Sequence, residues 1–285
     1  MTAPDTVYVN KKAASRSGEQ IDFSFGKNRL AYAAGLEERH IPEAQRSFTE
    51  STVLDSLAGY TFLDAGCGSG LSSLVALRLN ADKVVSFDID PSSVACTKQL
   101  RSRFAPQTDK WDVHTHSLLD RDLPSKVPPS SLVCCWGVAH HTGSMWEAID
   151  HVVRCVAEGG MLLLAIYNRT KHSDTWLRIK RMYNWAPAPI KKLLALAFHI
   201  RTFGSLILHG QNPLRFVREY AKHRGMTYFR DVEDWLGGLP YEYASIEEIT
   251  AFLAPKGFEL VRVKHAASHG CNEFVFQKLG PQDRR

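Results

Sequence analysis

The stretch Asp64-Ala65-Gly66-Cys67-Gly68-Ser69-Gly70 follows the apolar segment 60–63 and precedes apolar residues at helical spacing in segment 71–78. Glycine at alternate positions allows positive φ angles and lets a ligand lie against the main chain, where a Cβ atom would collide with it. A strand, a glycine-rich turn and a helix in this order predict a cradle for a nucleotide-type cofactor.

The spacing of the glycines distinguishes between cofactor classes. A dinucleotide fingerprint needs its third glycine at position 71, which is Leu71 here. A P-loop needs Gly-Lys-Ser/Thr, but Gly70 is followed by Leu71-Ser72. The order acidic-x-Gly-x-Gly-x-Gly instead resembles motif I of the class I S-adenosylmethionine (SAM)-dependent methyltransferases. This resemblance implies SAM as the cofactor.

The strand predicted after the turn supports a SAM site. Segment 84–88 is rich in β-branched and aromatic residues and ends at Asp88, about twenty residues past the turn. A carboxylate there can accept both ribose hydroxyls in a bidentate, charge-assisted way. Asp90 is expected to cap the next helix, because Pro91 suits the first helical position.

Later segments lie where the resemblance expects strands. Segment 111–116 resembles the third strand, and segment 132–138 resembles the fourth, which ends beside the transferred methyl group. A turn and a fifth strand follow at 158–167, where Glu158 replaces the usual proline and is expected to loosen the turn slightly. Segments 258–264 and 272–278 resemble the sixth strand and the antiparallel seventh.

The resemblance also implies a set of cofactor-binding residues. Asp64 is expected to anchor the amino group of SAM, and Trp136 to wall its methionine side. Ser117 and Leu118 are expected to border the adenine. The full set is Asp64, Gly66, Cys67, Gly68, Gly70, Asp88, Ile89, Ser117, Leu118 and Trp136.

Histidines after the fourth strand are the first candidates for catalysis. A histidine with a pKa near neutrality can take the proton that a hydroxyl acceptor loses. We favour His140 as a general base or substrate-orienting group, and a helix-capping or structural role for His141. The further candidates, each alone more typical of a structural residue, are Tyr241, His269, Asp231, Asp234 and Glu242.

No metal site is expected. Histidine pairs occur at 114 and 116 and at 140 and 141, but no carboxylate or cysteine completes a ligand set at a credible spacing.

The predicted architecture is an α/β, Rossmann-like class I methyltransferase fold. Its seven-stranded sheet is mostly parallel with the last strand antiparallel, and a helical insertion lies between strands 5 and 6. The expected segments are a flexible N-terminus (1–20), N-terminal cap helices (21–58), the SAM-binding core (59–168), a basic, mostly helical lid or substrate insertion (169–241) and the completion of the core sheet (242–280).

The insertion carries most of the positive charge. Residues 169–230 hold thirteen Lys or Arg against two acids, a net charge of +11, while the whole chain has +5 and the remainder therefore −6. This concentration predicts an anionic partner, best read as a small acidic or phosphorylated metabolite. RNA is not favoured, because no RNA-binding module is recognisable. A solvated helix surface and an anionic membrane surface stay open.

An apolar stripe within the insertion bears on the last of these alternatives. Segment 190–209 places apolar residues on one helical face behind Lys191-Lys192: Leu193, Leu196, Ala197, Ile200, Phe203 and Ile207. The commoner explanation is a lid helix docked on the core or on a second subunit, so a homodimer is also considered.

Composition points to a globular intracellular protein. The 285 residues are 44% hydrophobic and 23% charged, and no apolar run approaches the roughly twenty residues of a membrane span. The N-terminus lacks a signal-type segment, and the six cysteines are scattered without a CxxC, which suggests reduced thiols and a cytoplasmic location.

The predicted function is SAM-dependent methyl transfer to oxygen or nitrogen of a small, acidic or phosphorylated metabolite. Three alternatives stay open: an S-methyltransferase acting on a small thiol, an RNA-modifying methyltransferase, and a SAM-binding protein without catalytic activity. The sequence does not name the acceptor.

Overall fold

A single seven-stranded sheet forms the centre of the molecule. The computed structural model describes residues 35–52, 54–224, 227–266 and 270–280. The strands are β1 (Thr61–Ala65), β2 (Lys83–Asp88), β3 (Trp111–Thr115), β4 (Ser130–Trp136), β5 (Val156–Tyr167), β6 (Phe258–Lys264) and β7 (Cys271–Lys278). Their order is β3-β2-β1-β4-β5-β7-β6, with β7 antiparallel to both its neighbours and the other pairings parallel. The predicted fold class is confirmed.

Helices connect the strands and cover the sheet. They are α1 (Ile41–Thr52), α2 (Leu71–Arg78), α3 (Pro91–Phe104), α4 (Leu123–Lys126), α5 (Met145–Arg154), α6 (Ser173–Trp185), α7 (Ala188–Leu208), α8 (Pro213–Arg224), α9 (Tyr228–Gly237) and α10 (Ile246–Leu253), with short 3-10 turns at Glu38–His40, Ala139–His141 and Ala254–Lys256. Helices α6 to α9 lie between β5 and β6, as predicted. The expected flexible segment 1–20, and the part of the expected cap up to residue 34, lie outside the described residues.

Side-chain caps begin two of these helices. The Asp90 carboxylate accepts a hydrogen bond from the Ser92 amide at the start of α3, where Pro91 is the first helical residue. Ser245 and Glu248 form a reciprocal capping box at the start of α10. Both starts were predicted from the sequence, because capping is local chemistry.

The sheet is buried on both faces, so its central strands are almost entirely apolar. Adjacent cysteines in β4 show the alternation, since Cys134 belongs to one core cluster and Cys135 to the other. Burial raises the pKa of Cys135 to about 12, so this thiol is protonated and packs as a small hydrophobe.

The turn predicted at 158–160 lies within β5, where the pairing with β4 is irregular. Glu158 was expected to loosen it, but the carboxylate pairs with Lys278 Nζ at 3.0 Å. The side-chain amide of Gln277 donates to the Gly159 carbonyl at 2.6 Å. Contacts from β7 therefore hold the turn.

The insertion has a small core of its own. Tyr228, Val232 and Leu236 of α9 are buried there, and Phe198 and Phe203 of α7 pack against them. Other residues of the predicted apolar stripe face away from the protein: Leu193, Leu196, Ile200 and Ile207 are 53–64% exposed. The expectation that this stripe docks on the core is therefore wrong for these four side chains.

The length and apolar character of the described helices decide whether one of them could cross a bilayer. None is by itself long and apolar enough to cross one, although α7 and the segment 213–220 of α8 meet the criterion together across a bend of 115°.

The order of the strands locates the site. Chain connections run outward in opposite directions from β1 and β4, which are neighbours in the sheet. In open α/β sheets the ligand crevice lies at such a switch point, outside the carboxyl ends of the strands. The turns after Ala65 and Trp136 line this crevice.

Candidate active site

The glycine-rich turn after β1 has the backbone that its sequence demands. Gly66, Gly68 and Gly70 have φ angles of +82°, +56° and +80°. A Cβ at Gly66 would lie 2.5 Å from Val138 Cγ1, and one at Gly70 would lie 2.8 Å from Thr97 Cγ2. Glycine is therefore required at these two positions by both the dihedral angle and the packing of the turn.

Asp88 closes the neighbouring strand against this turn. The Gly68 amide donates to Asp88 Oδ2 and the Asp90 amide donates to Asp88 Oδ1, both at 2.9 Å. A carboxylate has about four acceptor positions, so each oxygen keeps one beyond these two amides. That capacity fits two adjacent hydroxyls, as on a ribose. The structure places Asp88 beside the turn as predicted, and its role in binding stays a prediction.

Asp64 lies beneath the turn, with its side chain only 3% exposed. Its Oδ2 accepts a hydrogen bond from the Ser73 hydroxyl, which also contacts Ser86 Oγ at 2.7 Å. Trp111 Nε1 donates to the same Ser86 oxygen. The carboxylate thus anchors a buried polar chain from β1 through α2 to β3. Sequence reasoning missed Ser73, although a serine inside an apolar helical pattern was a visible signal.

A second hydroxyl that the sequence did not single out supports the turn from α3. Thr97 Oγ1 donates to the Gly68 carbonyl at 3.2 Å and lies 3.3 Å from Cys67 Sγ. Cys67 therefore faces the protein interior, so its contribution to a cofactor site would come from the backbone.

The residues expected around an adenine lie together at the ends of β2 and β3. The His116 amide donates to the Asp88 carbonyl at 3.2 Å, which brings the segment after β3 beside Ile89. Leu118 is buried, and its carbonyl is bonded to His151 Nδ1 of α5 at 2.9 Å. Ile89 is 65% exposed at the rim. Ser117 accepts a hydrogen bond from the Leu119 amide, which shapes the local turn.

Trp136 ends β4 on the side of the sheet that α1 covers. It lines a groove with Ser47 and Glu50 of α1 and Arg262 and Lys264 of β6. This groove was not predictable from the sequence, because its walls come from segments over two hundred residues apart. The expected contact of Trp136 with methionine stays a prediction.

The ends of β4 and β5 carry an aromatic cluster. The ring of His140 lies 4.1 Å from that of Tyr167 and 4.5 Å from that of His141, centroid to centroid. The ring of Tyr241 lies 5.0 Å from that of Tyr167, tilted by 51°. The Glu242 amide donates to the His140 carbonyl at 2.9 Å, which fixes the two segments together. We refer to His140, His141, Tyr167 and Tyr241 as the aromatic cluster.

Two buried polar atoms in the aromatic cluster, His140 Nδ1 and the Tyr241 hydroxyl, make no hydrogen bond of good geometry with the described residues, although the Ser173 side chain lies close enough to the hydroxyl to lower its pKa. Burial lowers the pKa of His140 well below its usual value, and His141 and Lys180 lower it further. Burial also raises the pKa of Tyr241. At neutral pH the imidazole is uncharged and the phenol protonated, so both groups can exchange hydrogen bonds with a bound molecule.

Two other predicted residues have structural partners. His141 Nδ1 is bonded to the Pro240 carbonyl at 2.7 Å, in line with the structural role favoured for it. Glu242 Oε2 accepts a hydrogen bond from the Met145 amide at the start of α5. Burial raises the pKa of Glu242 to about 7. The hydrogen bond from the Met145 amide directs the Glu242 carboxylate at the N-terminus of α5.

The remaining candidates do not join the cluster in the described structure. Asp231 is buried in the insertion, where it accepts a hydrogen bond from the Tyr220 hydroxyl. The side chain of Asp234 and all of His269 lie outside the described residues.

Lys180 is a site residue that sequence reasoning missed. It was counted only as one of the basic residues of the insertion, yet it is 1% exposed. Its ammonium donates to the Trp235 carbonyl and lies 5.1 Å from the centre of the Tyr241 ring. A signal existed, because Lys180 falls four residues after Trp176 and three before Tyr183, on the apolar face of α6.

A metal site would need at least three ligating side chains close together. Within the parts of the chain that the structure describes, no three His, Cys, Asp or Glu side chains are grouped to hold an ion.

Known proteins share the part of the chain that carries the turn and Asp88. A family model described as a methyltransferase domain matches residues 63–162. Residues 63–162 therefore match a methyltransferase domain, and SAM is the cofactor that such a domain implies.

The similar sequences match short parts of the chain. The ribosomal protein L11 methyltransferase of Alteromonas mediterranea is 45% identical over 68 residues, which are 24% of this chain and 22% of that protein. The enzyme of the same name from Azotobacter vinelandii is 31% identical over 109 residues, or 38% and 34%. The chain thus matches about a fifth to a third of the length of these relatives.

Solved structures share the fold over most of the chain. The magnesium protoporphyrin IX methyltransferase of Synechocystis PCC 6803 with bound SAH has a TM-score of 0.54 at 17% identity, covering 90% of this chain and 95% of that one. An O-methyltransferase family protein from Burkholderia thailandensis has a TM-score of 0.54 at 14% identity, covering 89% and 60%. At these identities the likeness concerns the fold alone.

Proposed function

We propose that the chain is an enzyme that transfers the methyl group of SAM to an oxygen or nitrogen of a small anionic acceptor, and that the acceptor binds at the aromatic cluster. The observation that carries this proposal is the pair of buried polar atoms in the aromatic cluster, His140 Nδ1 and the Tyr241 hydroxyl, that make no hydrogen bond of good geometry within the described residues. Buried polar groups without partners cost free energy, so proteins rarely keep them unless a ligand uses them.

The contact between Val138 and Gly66 supports placing acceptor and cofactor next to each other. Val138 packs so closely on the turn that only glycine fits at position 66. The 3-10 turn with His140 begins at the next residue. A molecule that is hydrogen-bonded to His140 Nδ1 would therefore lie next to the cofactor site.

Each group then has a defined task. When bound, SAM supplies a methyl group activated by its sulfonium sulfur, which leaves as a thioether. Asp88 and the turn hold the cofactor, and the buried aromatic cluster excludes water and orients the acceptor in line with that methyl group. The uncharged His140 accepts the proton that a hydroxyl or amine acceptor releases as its new bond to carbon forms.

The charge of the insertion supports an anionic acceptor. Helix α6 places the Lys180 ammonium against Tyr241, and residues 169–230 carry a net charge of +11. The sequences of segments 230–242 and 269–274 resemble the bacterial O-methyltransferases grouped with ubiquinone biosynthesis, a group whose members share no single acceptor. We assign no individual substrate.

The test is methyl transfer from SAM with a labelled methyl group to fractions of a bacterial extract. Label should enter the fraction of small acidic molecules, and Asp88→Ala should abolish this transfer. Label found only in RNA or protein would contradict the proposal. SAM binding by calorimetry without transfer to any fraction would instead indicate a catalytically silent binding protein.

A variant distinguishes the acceptor atom. His140→Phe should reduce transfer to an oxygen or nitrogen acceptor by at least about tenfold, because proton acceptance is worth that much or more. A thiol acceptor ionises without help, so unchanged turnover in this variant would favour an S-methyltransferase. Calorimetric binding of SAM by the variant confirms that the fold is intact.

A further inference from the structure

The outward face of α7 is apolar along its length. Leu193, Leu196, Ile200 and Ile207 are each more than half exposed and lie within one stripe, because residues three, four and seven apart share a helical face. We call these four side chains the α7 stripe. The opposite face of the helix is partly buried, since Ala195 and Phe198 pack on the core of the insertion, and Phe203 at the edge of the stripe packs there too.

Two exposed basic residues flank the α7 stripe. At about 100° per residue, Lys192 lies about 100° to one side of Leu193 and Arg201 about 80° to the other. Both side chains are exposed. An apolar stripe with a cation on each flank is the arrangement of a helix that lies in a membrane interface, where long basic side chains reach the headgroups.

The charge around α7 is of one sign. Residues 175–218 contain eight Lys or Arg and no Asp or Glu, and one of the eight, Lys180, is buried. A surface of this kind is attracted to anionic lipid headgroups. A symmetric dimer through the α7 stripe would instead bring Lys192 and Arg201 of two copies together, because a twofold interface pairs a patch with itself. Charge therefore favours a lipid surface over a second copy.

We propose that α7 is an interfacial helix, with which the protein docks on anionic lipid membranes. The α7 stripe enters the boundary between headgroups and acyl chains, and Lys192 and Arg201 contact the lipid phosphates. The helix lies along the surface without spanning it, because its inner face stays packed on α9. This inference does not depend on the proposed methyl transfer, since docking needs neither SAM nor an acceptor.

Sedimentation of the whole chain with lipid vesicles tests the proposal. Vesicles of phosphatidylcholine with about one third phosphatidylglycerol should bind the protein at least ~10-fold more tightly than phosphatidylcholine alone, because each cation near an anionic surface adds roughly fivefold in affinity. Added salt should weaken the binding. Equal binding to both vesicle types, or none to either, would overturn the proposal.

Two double variants separate the apolar contribution from the charged one. Leu193→Glu with Ile200→Glu should lower affinity for the phosphatidylglycerol vesicles at least ~10-fold, whereas Lys192→Glu with Arg201→Glu should remove the preference for them. The matched control is Val261→Glu, which changes a 57% exposed apolar side chain on β6 and should bind as the original does. Melting temperature and SAM binding should be unchanged, since every altered side chain is exposed.

A second copy of the chain is the competing occupant of this face. Light scattering across a range of concentrations measures it directly, and a monomer is expected. Two results together would refute lipid docking: the protein does not bind vesicles, and it forms a dimer that the Leu193→Glu, Ile200→Glu variant dissociates. They would assign the α7 stripe to self-association.

Discussion

At the ends of β1 and β2 the polar groups are bonded within the protein, whereas in the aromatic cluster at the ends of β4 and β5 two buried polar atoms make no hydrogen bond of good geometry with the described residues. The first region is built from residues 64–90, close together in the sequence. The second combines β4, β5, α6 and the segment after α9, up to about a hundred residues apart. We expect the first region, whose groups are already held by the protein, to bind the cofactor, and the second region to set acceptor specificity.

The two regions should respond differently to substitution, in stability and in activity. In the cofactor region, substitutions should cost stability or SAM affinity, since each group there already has a partner. In the acceptor region, removing an unpartnered group should cost the fold little and affect the reaction instead.

The largest effect is expected for Gly66→Ala. The positive φ angle costs about 1–2 kcal/mol in any residue with a Cβ, and overlap with Val138 adds about 1–3 kcal/mol. Urea denaturation should therefore show a loss of roughly 2–5 kcal/mol. Gly59→Ala is the matched control, because Gly59 has a φ of +83° but no atom near its missing Cβ. Equal losses in both variants would show that contact with Val138 does not hold the turn.

Asp88→Ala should weaken binding of SAM and S-adenosylhomocysteine about 100-fold by calorimetry. Two charge-assisted hydrogen bonds at about 1.5 kcal/mol each account for this factor. Asp112→Ala removes an exposed carboxylate of β3 that pairs with Lys83, and it should leave the affinity within about twofold. If the Asp88→Ala variant bound SAM as tightly as the original, the cofactor site would not lie at the ends of β1 and β2.

Glu242 should make stability depend on pH in a direction opposite to that of most carboxylates. Burial raises the pKa of this carboxyl in the folded protein to about 7, against 4.5 as its ordinary value. Between these values the unfolded chain releases the proton and the folded protein keeps it, so the stability that Glu242 contributes falls as pH rises, by at most about 3 kcal/mol.

Glu242→Gln isolates this contribution, because an amide does not titrate. The difference in unfolding free energy between the original and the variant should change between pH 4.5 and pH 7, in favour of the variant as pH rises. A difference that stays constant over this range would mean that the carboxyl ionises normally in the folded protein.

The smallest effect on stability is expected for Tyr241→Phe. Its hydroxyl is buried, and its contact with the Ser173 side chain falls short of good hydrogen-bond geometry, so removing it should leave the melting temperature unchanged or raise it by the equivalent of up to about 1 kcal/mol. Tyr243→Phe should lower it, because the Tyr243 hydroxyl donates to Asp174. A clear loss of stability in the Tyr241 variant would indicate that the hydroxyl is satisfied within the protein.

Sequence reasoning succeeded where structure is set by neighbours in the chain. The boundaries of β6 were predicted to the residue, and both helix caps were found, because alternation and capping are local. It placed the end of β4 two residues late, since Gly137 with a φ of +75° ends the strand at Trp136. Side chains such as Ser73, Thr97 and Lys180 were missed because their partners come from other elements.

The sequence by itself determined the α/β fold, the glycine-rich turn and the acidic residue that follows it, because a ligand that contacts the backbone constrains residues only a few positions apart. Tertiary structure alone decided that Lys180 is buried, that His140 and Tyr241 share a cluster, and that the α7 stripe faces outward. Burial depends on which surfaces meet after folding, and the order of residues along one helix does not specify what lies opposite it.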